Sequence, residues 1–154
     1  MSGIIGVIAD THGLLRPEAV QALKGCALII HVGDIGKHAI LEQLQQLAPV
    51  VAIRGNNDHG PWAEVLPDTT TVTYQGLSLY VLHNLAELDC NPTVVPFHAV
   101  IAGHSHRPHI EEKAGVLYFN PGSAGPRRFK LPVALGRLHV TQGQLQPEII
   151  TLQG

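Results

Sequence analysis

Five times along this 154-residue chain an apolar, β-branched run stops in side chains that bind divalent metals. Residues 3–9 end in Asp10 and His12, residues 26–32 in Gly33 and Asp34, and residues 49–54 in Gly55, Asn56, Asn57 and Asp58. Residues 77–82 lead to His83, and residues 98–102 lead to Gly103, His104, Ser105 and His106. Asp10 and His12 alternate by two, which puts both side chains on one side of an extended strand tip where they can share an ion. His104 and His106 repeat that spacing. Asp34 is the natural bridge between two ions, because a carboxylate has two oxygens and a charge that screens like-charged neighbours. Asn56 adds a neutral carbonyl and His83 an imidazole. Oxygen and imidazole donors without thiolate favour Mn, Fe, Co, Ni or Zn over Ca or Mg. Two such ions, about 3.5–4 Å apart, lower the pKa of a bridging water and stabilise the attacking and leaving oxygens of an in-line displacement. Two aspartates and a bridging hydroxide leave part of the ions' charge uncancelled, so the site attracts an anionic phosphate. The chemistry expected is phosphoester hydrolysis.

Bringing seven donors together from positions this far apart requires strands that end at one crevice, as they do in α/β sheets. The first half reads strand, helix, strand, helix, strand, with helices near residues 17–24 and 37–47. Pro17 suits a helix's first turn and Gly25 its stop. Ile40, Leu41, Leu44 and Leu47 recur at three- and four-residue steps, which predicts an apolar helix face that packs on the sheet. After Pro67 the pattern changes to short strands over residues 69–74, 77–83, 99–102, 116–119, 133–140 and 145–151, with hairpin turns expected at Gln75-Gly76 and Gln142-Gly143. A βαβαβ unit followed by hairpins predicts two sheets packed face to face with helices outside. Asn120 to Pro126 cannot continue a strand and is read as a loop.

Length places the whole chain, residues 1–154, in one domain. Hydrophobic residues make up 45% and charged ones 14%, with a formal net charge of -2, which suits strands buried on both faces. With no basic run or basic aromatic stripe, no stable nucleic-acid complex is expected. Without a secretion signal or an apolar run long enough to span a bilayer, the chain is expected in the cytoplasm and off the membrane. Cys26 and Cys90 form no metal or disulfide motif and are read as small buried apolar residues.

The blocks Asp10-Thr11-His12, Gly33-Asp34-Ile35-Gly36, Gly55-Asn56-Asn57-Asp58, His83 and Gly103-His104-Ser105-His106 together resemble the calcineurin-like metallophosphoesterase superfamily, and the short chain resembles its small prokaryotic phosphodiesterase branch. Asn120-Pro121-Gly122-Ser123 and Arg127 match that branch too. The resemblance implies a four-layer αββα sandwich, two mixed β-sheets with flanking helices, and a centre of two divalent ions. Asp10, His12, Asp34 and His106 would hold one, and Asp34, Asn56, His83 and His104 the other. Mn is the leading choice of metal, with Ni, Fe, Co and Zn open.

This sequence departs from the family pattern in two places. Asn57 stands where many members have a His that helps protonate the leaving oxygen, which leaves His59 as the nearby acid candidate, and Asn84 replaces a common Gly after His83. The expected activity is hydrolysis of small phosphodiesters, with Asn56 and His59 catalytic and Asn57 and Arg127 touching substrate. The alternatives are a catalytically weak interaction scaffold on the same fold, and a phosphomonoesterase or nuclease. A homo-oligomer would suit the exposed hairpins after Pro67. His31 is read as a hydrogen-bonded core residue, and His38, His98, His109 and His139 as surface or strand positions. Arg128 and Lys130 are read as solvated charges, and Trp62 as either a hydrophobic plug or a substrate-side aromatic.

Overall fold

The computed structural model describes residues 2–89, 91, 96–128 and 130–152. Cys90 lies outside them. The opening βαβαβ unit comprises β1 (Ser2–Ile8), α1 (Pro17–Leu23), β2 (Leu28–His31), α2 (His38–Gln45) and β3 (Val50–Ala52). A four-residue helix, α3 (Pro61–Glu64), leads into β4 (Thr69–Tyr74) and β5 (Leu77–Leu82). After a 3-10 turn at Leu85–Glu87 come β6 (Ala99–Ile101), β7 (His109–Lys113), β8 (Val116–Asn120), β9 (Ala134–Thr141) and β10 (Gln144–Thr151).

These strands form two mixed five-stranded sheets, ordered β10-β9-β1-β2-β3 and β4-β5-β6-β8-β7. In the first, β1, β2 and β3 are parallel. In the second, β5, β6 and β8 are parallel. The sheets meet through one apolar layer in which Ile5, Val7 and Ile30 of the first pack with Leu79, Ile101 and Phe119 of the second. On the other side of the first sheet, Leu23 of α1 and the Ile40, Leu41 and Leu44 face of α2 join Ile8 and Ile29. The α/β sandwich expected from the sequence is therefore present. The outer face of the second sheet carries a smaller cluster, Leu82, Val100, Ala102 and Val116, against which Leu88 packs just after the 3-10 turn.

Gln75-Gly76 and Gln142-Gly143 are consecutive left-handed pairs, φ 49° and 82°, then 51° and 76°. That is the backbone of a two-residue turn matched to strand twist. Ala114-Gly115 forms a third such pair between β7 and β8. Strand β7 was not legible in the sequence: every one of its residues is exposed, so no alternation marks it. Trp62 packs into the helix-side cluster as a plug.

Candidate metal centre

The parallel strands of both sheets deliver their carboxyl ends to one edge. Asp10 and His12 follow β1, Asp34 follows β2, Asn56 follows β3, His83 follows β5, and His104 and His106 follow β6. The two sheets are tied together there: the His83 Nδ1–H donates to the Val32 carbonyl at 2.7 Å, and the His104 backbone N–H donates to Asp10 Oδ2 at 3.2 Å. Both bonds connect a loop of one sheet to the other.

The geometry of the tips differs from the extended one expected. Asp10, His12, Asp34, His104 and His106 all have left-handed backbone, φ 55°, 47°, 55°, 69° and 62°. Side chains two apart therefore converge by a reversal of the chain. Left-handed backbone costs a non-glycine residue free energy and clusters at functional sites. Here it is held by a ladder between loops: Asp10, His12 and Gly13 donate backbone N–H to Gly33, Asp34 and Ile35 at 3.0, 2.9 and 2.8 Å.

The donors fall into two groups. One oxygen or nitrogen of each of Asp10, His12 and His106 lies within 4.8 Å of the others, and the same holds for Asp34, His83 and His104. Asp34 Oδ2 sits between the groups, 3.3 Å from His83 Nε2 and 3.8 Å from His12 Nε2. Asp10 Oδ1 lies 3.7 Å from His106 Nε2. Asn56 is exposed and shares a cavity of about 650 Å³ with His83 and His104.

Four buried polar atoms here have no hydrogen-bond partner among the described residues: Asp10 Oδ1, His12 Nε2, His83 Nε2 and His106 Nδ1. Buried polar groups are otherwise almost always paired, so orphans concentrated among carboxylates and imidazoles fit divalent cations. Crowding of these groups shifts their protonation in both directions. Burial pushes the Asp10 carboxyl up to about 7, against the pull of His83. Burial also works against ionisation of Asp34, but the adjacent His83 imidazole and the two hydrogen bonds from Asn57 outweigh it and hold that carboxyl well below the usual range. His106 is lowered to about 4, chiefly by burial and then by Arg128. Burial alone would lower His83, yet Asp34 and the Val32 carbonyl raise it. Because His83 donates from Nδ1, its Nε2 lone pair is the one that faces the site.

Asn57, read from the sequence as a substrate contact, is bound to Asp34: its backbone N–H reaches Oδ1 at 2.9 Å and its amide NH₂ reaches Oδ2 at 3.1 Å. His59 is exposed, just after Asp58 and outside the Asn56-Asn57 turn. Arg127 is exposed too. Its neighbour Arg128 acts electrostatically on Asp10, His12 and His106. Arg128 is exposed, as a solvated charge should be, and its influence on the site is long-range. Asn84 accepts the Ala86 N–H and caps the 3-10 turn, which accounts for Asn where a Gly was anticipated.

The loop from Asn120 supports the centre from behind. Asn120 Nδ2 donates to the Gly103 carbonyl and to Ser105 Oγ, both at 3.1 Å, and Ser123 Oγ donates to the Asp10 carbonyl at 3.2 Å. His31 is fully buried, accepting from Gly33 N–H at 3.1 Å and facing Thr11 Oγ1 at 3.0 Å. His98 accepts the Ser78 N–H, while His109 pairs with Glu111 and His139 with Glu148.

A fold and donor set of this kind define a class. The sequence model of the calcineurin-like phosphoesterase superfamily domain matches residues 4–143, and the chain belongs to that superfamily. It is 36% identical over 129 residues to a probable metallophosphoesterase of Methanocaldococcus jannaschii, covering 78% of this chain and 67% of that protein. It is 26% identical over 160 residues to the phosphodiesterase YfcE of Escherichia coli, covering 84% of each. In three dimensions it superposes on Vps29 of Chaetomium thermophilum with a TM-score of 0.78 at 18% identity, covering 97% of both chains. Membership makes phosphoester hydrolysis the family chemistry and implies divalent metal at the site.

Proposed function

We propose that the chain is a phosphodiesterase that hydrolyses small phosphodiesters at a dinuclear divalent-metal centre. The observation that carries this reading is the position of Asp34 Oδ2, within 3.8 Å of an imidazole from each donor group. Asp10, His12, Asp34 and His106 would hold one ion and Asp34, Asn56, His83 and His104 the other, with Mn first among Mn, Ni, Fe, Co and Zn. When bound, the ions would supply Lewis-acid activation of water and of the phosphoryl oxygens.

The chain's own residues do the rest. Asn57 holds both Asp34 oxygens in place. The Val32 carbonyl fixes the His83 tautomer. Arg128, with its electrostatic reach over Asp10 and His106, would draw the anionic phosphate inward, and the exposed Arg127 and Asn57 would meet the substrate. Asn56 steadies developing charge on the transferring group, and His59 is the group available to protonate a leaving oxygen. The reading includes a single domain acting in the cytoplasm on small substrates, without a stable nucleic-acid complex; oligomerisation through the exposed hairpins would not alter the site. No helix among the described residues is long and apolar enough to cross a membrane.

Asp34→Asn tests this directly. With Mn present, hydrolysis of a bis-aryl phosphodiester should fall by more than about 100-fold, since even outer-shell partners of metal ligands are worth 10–100-fold, while circular dichroism shows the fold retained. Faster turnover of a mono-aryl phosphate or single-stranded DNA in the same panel would move the assignment to a monoesterase or nuclease. A metal-loaded wild type inactive on all three would identify a scaffold.

A further inference from the structure

Two cavities meet at the candidate metal centre, and they differ in character. The one shared by Asn56 and His83 has an ion pair in its wall, Arg54 donating twice to Asp68, and Glu87 at its rim. The other, of about 510 Å³, extends from His104 and Asn84 across the outer face of the second sheet. His104 and Asn84 line both.

The floor of the second cavity is apolar and aromatic, formed by Val100, Ala102 and Tyr118, with Leu85 and Leu131 at its lip. Leu85 is 40% exposed, an apolar side chain left in water beside a polar centre. Arg107 stands on the rim, exposed and with no ion pair to its guanidinium among the described residues. The volume is that of a small-molecule subsite, and an apolar, aromatic patch flanked by His104, Asn84 and Arg107 offers both kinds of contact. A guanidinium can also lie against an aromatic face.

We propose that this cavity receives a planar aromatic ester group of the substrate, so that the enzyme acts on phosphodiesters carrying one aromatic ring, aryl or nucleobase. The proposal rests on the phosphodiesterase reading and deepens it. The phosphate sits over the donors near His104, and its two substituents are told apart by what flanks them. The ring enters the cavity of Tyr118 and Leu85, and the other group faces the polar side lined by Asn56 and Arg54.

Phosphinates test this without turnover, because their P–C bonds are not hydrolysed and they carry the single charge of a diester. Calorimetric titration of Mn-loaded protein compares methylphenylphosphinate with dimethylphosphinate. Burial of the phenyl ring should make the first bind about tenfold more tightly. In the Leu85→Ser, Arg107→Ala double variant, both exposed positions, that ratio should fall to about twofold or less. Equal affinities in the wild type, or an unchanged ratio in the variant, would overturn the aromatic subsite and leave the phosphodiesterase reading standing. Binding of neither phosphinate would overturn both. Tighter displacement of the phenyl ligand by adenosine 5′-monophosphate than by ribose 5-phosphate supports a nucleobase as the ring, and equal displacement supports a simple aryl group.

Discussion

The carboxylate of Asp58 accepts the backbone N–H of Gly36 at 3.0 Å through one oxygen. The other oxygen takes the N–H groups of Ile35 at 3.1 Å and Gly55 at 2.9 Å. Asp58 is only 4% exposed, so one buried carboxylate locks the loop that carries Asp34 to the loop that carries Asn56. The two backbones are close enough that a Cβ at Gly55 would overlap the Asp34 amide and Oδ1. Asp58→Asn puts an amide NH₂ where an acceptor is needed. It should cost about 1–3 kcal/mol of stability and lower metal affinity about 10–100-fold. Urea midpoints and calorimetric Mn titration check both, and an unchanged metal affinity would remove Asp58 from the centre's support.

Metal binding should depend on pH through Asp10, whose carboxyl is raised to about 7, chiefly by burial. An incoming ion must displace that proton and the one favoured on His83, so apparent affinity should fall about tenfold per pH unit per proton below pH 7. His106, lowered to about 4, is already neutral and adds nothing between pH 5 and 7. In metal-free protein the same Asp10 shift contributes stability that is present below about pH 3.8 and lost as pH rises through about 7. Asp10→Asn in chelator should then be more stable than wild type at pH 8. Calorimetry at pH 6 and 7.5 and thermal unfolding at pH 8 are the measurements.

His31 has the opposite sign. Burial lowers its pKa to about 3, and its ring is fixed neutral, with Nδ1 accepting from Gly33 and Nε2 facing Thr11, whose hydroxyl donates to Ile35 at 2.8 Å. Its contribution is present above pH 6.5 and lost as pH falls toward 3, at up to about 1.4 kcal/mol per pH unit. The stability difference between wild type and His31→Gln, followed by urea unfolding from pH 7.5 to 5 in chelator, should shrink as pH falls. A difference constant with pH would show that His31 does not titrate on unfolding in that range.

Leaving-group protonation should be weak. Asn57 gives its amide NH₂ to Asp34, and His59 is exposed to solvent. Rates on aryl diesters should exceed those on alkyl diesters by orders of magnitude, and His59→Ala should slow the alkyl substrate alone. Equal rates on the two classes would show that a strong acid operates at the site.

Much of this was legible from residue types. Hydrophobic runs ending in Asp, Asn and His located the strand tips, and the face Ile40, Leu41, Leu44 identified α2. The left-handed backbone at Asp10 and His104 was not legible, because that conformation is imposed by hydrogen bonds to a distant loop and not by local preference. Asp58 read as one residue of a turn motif, since its three N–H partners lie on two loops. The packing of the chain around Gly125 on Asp10 and Thr11 was not legible either, because it joins segments more than a hundred residues apart. The cavity of Tyr118 and Leu85 depends on which sheet face the α-helices cover.

The central claim is that Asp34 joins two ions. Anomalous diffraction from a crystal grown with Mn tests it most directly. Two peaks about 3.5–4 Å apart are expected, one beside Asp10, His12 and His106, the other beside Asn56, His83 and His104, with Asp34 between them. A single peak, or peaks that leave Asp34 unliganded, would contradict it.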